Sequence, residues 1–268
     1  MSVIATIALN TYRESVRDRV LYNLVFFALL IIGASYLIGQ LTAGQDVKII
    51  KDLGLSAISL FGLFIAIFIG IGLVSKEVER RSVYALLAKP VRREQLVLGK
   101  YAGLVLTLLV NVAVMVAVWY AVLGYMSWSS DAATKLAWEA PATDPRMLQA
   151  VGLIFVELML MTAVALFFST FSSPMLSAAF SFAIYVIGHL APDFKNIGDV
   201  LKSRVAGGVA QVLYYVFPDL AAFDVKAQVV HAHPVAAAYL GTTALYAAAY
   251  IAALLVGAAF IFSRRDFK

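Results

Sequence analysis

Long apolar runs separated by short charged stretches set the pattern of this chain. Val20–Leu41 and Leu53–Val74 hold 22 residues each, and nothing is charged from Tyr101 to Ser130. Met147–Phe171 has 25 residues and one charge, Glu157; Pro174–Leu190 has 17 residues and Tyr239–Ser263 has 25. A hydrocarbon core about 30 Å thick needs roughly 20 helical residues. The pattern therefore predicts an all-α polytopic membrane protein with six transmembrane helices, at about 20–41, 53–74, 101–128, 147–171, 174–190 and 239–263. The runs lack the period-2 alternation of a membrane β-barrel, so helices are the spanning elements. No linker or soluble domain interrupts them, and residues 1–268 read as a single transmembrane domain.

Between the runs the pattern changes. Before the first one, Ile4, Ile7 and Ala8 share a helical face, followed by Arg13, Arg17 and Arg19. That spacing suggests a short amphipathic helix on the cytoplasmic surface, with a frayed basic tail as the alternative. The first apolar run is longer than a signal-peptide core and no small-residue cleavage site closes it. The longest interruption, Ala191–His233, has helical periodicity over 197–216 and stops at Pro218, as expected of a helix folded back on the outer surface or partly re-entrant. Tyr125 and Trp128 fit an interfacial aromatic belt.

Composition agrees with the pattern. Hydrophobic residues make up 62% of the chain and charged residues 14%, against about a quarter charged in soluble domains. With six spans, the segments on the side of the termini carry 13 Lys and Arg in 52 residues, whereas the opposite segments carry 8 in 72. The positive-inside rule then puts both termini and the 75–100 loop in the cytoplasm, in the plasma (bacterial inner) membrane. The basic balance reflects topology and gives no reason to expect nucleic acid. The absence of cysteine excludes disulfides and thiolate chemistry.

Small residues recur one turn apart at Gly62, Ala66 and Gly70 in the second span, and at Ala249, Ala253 and Gly257 in the sixth. Such seams let helix backbones approach closely in lipid, and packing within the chain is the first expectation for both. Glu157 is the only acid deep in a span. An intramembrane carboxylate is expensive, so it marks either a transport path, shared with Asn111 of the third span, or a structural hydrogen bond, with Asn111 as the expected intrachain partner. His231 and His233 lie two apart in a loop, a spacing that fits solvated side chains better than a metal site. No Walker A motif, HExxH or GxSxG occurs. The chain thus offers no catalytic residue, no metal site and no cofactor site of its own.

Ser75–Lys100 has a design that a plain connector would not need. It holds seven of the 21 Lys and Arg, yet Arg80, Tyr84, Leu87 and Val91 fall on one helical stripe flanked by Val83 and Leu86. Pro90 breaks the helix, and Arg92, Arg93 and Glu94 open a second one. Apolar anchors ringed by charge suit a protein-docking knob, while a helix held to anionic lipid is the competing interpretation.

The run from Glu77 through Pro90 and Gly99-Lys100-Tyr101 resembles the first cytoplasmic loop of type-2 ATP-binding-cassette (ABC) exporter permeases. Three other places agree: Arg17–Tyr22, Phe217–Asp224 and Phe262–Phe267. Arg81-Ser82 stand where many members have Gly-Thr. The finer likeness is to permeases linked to copper-enzyme maturation and gliding. The resemblance implies a homodimer or half of a heterodimer, seated on two copies of a separate ATPase that binds the ATP and Mg. The coupling helix would comprise Glu77, Arg80, Arg81, Ser82, Tyr84, Leu87 and Pro90, with Arg92 and Arg93 at its edge. An accessory protein on the outer face would meet the 191–233 loop. The alternative function is a secondary transporter or channel uncoupled from ATP; an absence of internal repeats weighs against it. The substrate is not encoded in any motif.

Overall fold

The computed structural model describes residues 2–41, 46–79, 92–193 and 216–264. Within them the protein is helical, with no strand. In chain order the helices are α1 (Val3–Ser15), α2 (Arg19–Gln40), α3 (Asp46–Glu79), α4 (Arg93–Ser129), α5 (Ala132–Leu136), α6 (Met147–Ser169), α7 (Pro174–His189), α8 (Lys226–Val230) and α9 (Ala237–Arg264). Helices α2, α3, α4, α6 and α9 each contain a segment long and apolar enough to cross a membrane. At 16 residues, α7 is shorter.

The organising element is α6. It packs against α3, α4, α7 and α9, and most of its residues are buried on every side. A helix apolar all round belongs in a core, whereas a surface helix has one apolar stripe. By contrast α2 and α9 leave Phe26, Phe27, Leu37, Leu245 and Val256 exposed. In a membrane protein such side chains face lipid. Trp128 and Tyr125 are exposed near the end of α4, where an interfacial belt requires them.

Glycines set the closest contacts. The seam of α3 packs within the chain: Gly62 lies on Leu158, and a Cβ on Gly70 would come 2.9 Å from the Ala165 methyl. The seam expected in the sixth span is not used in this way. Only Gly257 faces α6, at Phe167, while Ala249 and Ala253 are exposed. Helix α9 instead buries the line Thr243, Ala247, Leu255, Ala258 and Phe262, because its larger side chains fill the groove beside α6.

Two helices extend beyond their apolar runs. Helix α3 starts at Asp46, seven residues before Leu53, and continues to Glu79. Nothing from Leu73 to Glu79 breaks a helix, and Ser75–Glu79 continue the helix of the second span. Helix α4 begins at Arg93, as the Pro90 signal suggested, and runs unbroken to Ser129.

Candidate functional site

Three regions gather the polar chemistry of this chain. The first is the end of the bundle where α3 stops and α4 starts. Glu77 lies in the last turns of α3 and Arg93 in the first turn of α4. Exposed Arg92 precedes α4, its backbone N–H donating to Gln95 Oε1 at 3.3 Å. The intervening candidates Arg80, Arg81, Ser82, Tyr84, Leu87 and Pro90 lie outside the described residues. Helix α1 packs on the first turns of α4 through the face predicted from Ile4, Ile7 and Ala8. A Cβ on Gly99 would press on Ile7, and one on Gly103 would meet Thr11 and the Ala8 carbonyl. Gly99-Lys-Tyr-Ala-Gly103 is thus a small-residue seam for α1. It escapes a search confined to the apolar runs because it starts before the third one.

Beside this end, a groove of about 660 Å³ opens between α4 and α9. Val97, Tyr101, Ile251 and Leu255 line it, together with Glu94 and Ser263.

The second region is the interior around Glu157. Its side chain is 4% exposed, and among the described residues its Oε1 accepts no hydrogen bond. The expected partner Asn111 is engaged elsewhere: its Nδ2 donates to the Thr107 carbonyl of its own helix at 2.6 Å. A polar side chain one turn up a helix finds that carbonyl more readily than a group on another helix. What faces Glu157 is His189, whose Nε2 stands 3.6 Å from Oε1. The geometry of the two helices explains the meeting. Glu157 lies twelve residues before the end of α6, and His189 fifteen after the start of α7. At 1.5 Å per residue those distances are about 18 and 22 Å from the shared turn. Glu157 is the only ionised residue type in its apolar run and His189 the only histidine in its own, so matching the two depths was the available signal.

The segment after Phe217 joins this interior instead of lying on the surface. Leu220, Phe223, Val225, Val229 and Val230 are buried in the main core, with α8 packed on α3 and α6. The Leu220 N–H donates to the Gly188 carbonyl at 3.0 Å, and Gly188 leaves no space for a Cβ against Pro218 and Leu220. Residues 194–215, which carry most of the helix expected over 197–216, lie outside the described residues.

The third region closes the opposite end of the bundle. Glu139 accepts from Lys48 of α3 through one oxygen and faces His231 Nδ1 at 3.1 Å through the other. These contacts hold its carboxyl below the usual carboxylate range, the Lys48 bond first. Lys51 is buried, donating to the Pro141 carbonyl at 2.9 Å, and Arg146 donates to the Ala232 carbonyl at 3.2 Å. Ala232 adopts φ 58°, a left-handed conformation that ends α8 at some steric cost. The start of α3 and two connections between spans are thereby tied together. His231 is taken up in this clasp, and no group of three metal-ligating side chains occurs among the described residues.

Comparison with known proteins gives one assignment. Residues 5–267 match the family model described as ABC-2 family transporter protein. No curated protein matches the sequence.

Proposed function

The chain belongs to the ABC-2 transporter family, as a multi-pass membrane permease, and from that premise we propose that it is the transmembrane subunit of an exporter driven by a separate ATPase. Two copies of the permease, or one with a related chain, stand on two ATPase subunits that bind ATP and Mg. Helix α7 completes a set of six spans. Both termini and the 75–100 segment face the cytoplasm of the inner membrane, following the excess of Lys and Arg on that side. The outer segments around 191–233 are the surface offered to an accessory protein.

One observation carries the docking assignment. A segment with Tyr84, Leu87 and Pro90 set among Arg80, Arg81, Arg92 and Arg93 joins, in sequence, the two longest described helices, α3 and α4. Apolar side chains in a charged setting seat in a partner's groove, and long unbroken helices carry its motion to the core. Glu77 and Ser82 extend the contact. ATP-driven closure of the ATPases then tilts α3 and α4 against α6, where Glu157 lies at mid-depth and serves the transport cycle. Asn111, bonded to its own helix, keeps a structural role.

Co-purification in mild detergent tests the proposal. The wild-type permease is expected to carry an ATPase of separate sequence. Tyr84→Ala with Leu87→Ala removes both proposed anchors at about 2 kcal/mol each, enough to release it. Full ATPase occupancy in the double variant contradicts the docking assignment.

A further inference from the structure

We propose that Glu157 and His189 hold a single proton between them, and that its departure frees the end of α7 and the Pro218–Asp224 turn from α6. The argument begins with the tautomer of His189. Its Nδ1 lies 3.2 Å from the Tyr185 carbonyl oxygen, which can only accept, so Nδ1 carries a hydrogen. In the neutral ring Nε2 is then a lone pair, and it faces Glu157 Oε1 at 3.6 Å. An ionised carboxylate would also present a lone pair. Two acceptors cannot face each other in a buried site without cost, and one proton resolves the conflict. Placed on Oε1 it gives a carboxylic acid donating to imidazole; placed on Nε2 it gives imidazolium donating to carboxylate. Both arrangements contain one proton.

The surroundings do not supply a substitute. The charges that act on the pair are Lys226 and Asp224, with Asp219 also acting on His189. Lys226 and Asp224 stand 3.5 Å apart and largely cancel. Tyr185 of α7 is engaged with Ser59 of α3, and Asn111 of α4 with Thr107. Asp219 takes the Tyr246 hydroxyl oxygen of α9 on its backbone N–H at 2.8 Å. Among the described residues, nothing else offers a donor to Glu157 Oε1.

The link to motion follows from covalent and packing neighbours. Gly188 precedes His189 and is bonded to Leu220, so the end of α7 and the turn form one unit. That unit touches α6 through Phe223 and its neighbours and through the Glu157–His189 contact. Once the proton passes to water at the outer face, where Asp224 is partly exposed, carboxylate and imidazole lone pairs repel. The unit then parts from α6 and opens the outer half of the core. The proton site does not depend on the ATPase assignment, so the two can fail separately.

Infrared difference spectroscopy on the full chain in lipid vesicles, titrated from mildly acid to alkaline buffer, reads the proton directly. The Glu157–His189 pair of the wild type is expected to lose one proton, with a carboxylic-acid or imidazolium signal that disappears together with it. Glu157→Gln keeps the shape and donates its amide to Nε2, so that titration is absent there. In His189→Gln the Glu157 carboxyl titrates at a different pH. Hydrogen exchange of residues 217–225 rises as the wild-type proton leaves and stays constant in Glu157→Gln. A titration that is unchanged in both variants, or exchange that ignores the loss of the proton, overturns the proposal.

Discussion

Glu139 shows how a single exposed carboxylate can organise one end of a membrane bundle. Two donors, Lys48 and His231, favour its charged form, so its folded pKa lies below the unfolded value of about 4.3. A carboxyl with a depressed pKa stabilises the fold above the unfolded value, and that contribution is lost as pH falls through the folded pKa. The wild type should therefore melt at a slightly higher temperature than Glu139→Gln at neutral pH, and the gap should close in acid below about pH 4. Melting curves of both proteins against pH check this; a gap that is constant with pH would contradict it. Neither partner was legible in the sequence, since Lys48 comes from the start of α3 and His231 from the connection before α9. Glu157 was legible because a charge inside an apolar run is costly wherever it points. Its partner was not, because pairing depends on the depth at which the short α7 ends. Trp119 was equally hidden: it is fully buried, its indole N–H donates to the Ile50 carbonyl at 3.1 Å, and its ring occupies the space a side chain at Gly54 would need.

At the scale of elements, hydrophobic runs located the spans well but misplaced their ends. Lys48 and Lys51 remain helical because helix α3 can begin before the hydrocarbon region and satisfy both ammonium groups against the 137–141 segment. The amphipathic face of α1 was visible in Ile4, Ile7 and Ala8, while its receptor on α4 depended on recognising Gly99 and Gly103 as a seam. That contact has a direct test. Gly103→Leu would drive a side chain into the Ala8 carbonyl and Thr11, backbone and β-branched neighbours with little freedom to yield. Overpacking of this kind costs about 1–3 kcal/mol, so α1 should detach and its amides exchange faster. Gly152→Leu, with open space around it, should leave α1 protected and serves as the control. Equal protection in both variants would remove the seam from the account.

For the whole molecule, the family match gives a multi-pass permease, and the arrangement we propose for it sets the charged 75–100 segment against an ATPase in the cytoplasm, following the distribution of Lys and Arg. The structure adds a central α6, packed against both α3 and α9, that carries Glu157. Sequence alone could not identify α6 as central, because a uniformly apolar run reads the same whether protein or lipid surrounds it. The most direct measurement is cross-linking from single cysteines, which the natural absence of cysteine makes clean. In intact membranes, Tyr84→Cys carrying a short photoactivated cross-linker is expected to form an adduct with an ATP-binding subunit, and Ser130→Cys at the opposite end is expected to form none. An ATPase adduct at position 130, or its absence at position 84 while the complex remains assembled, would contradict the account.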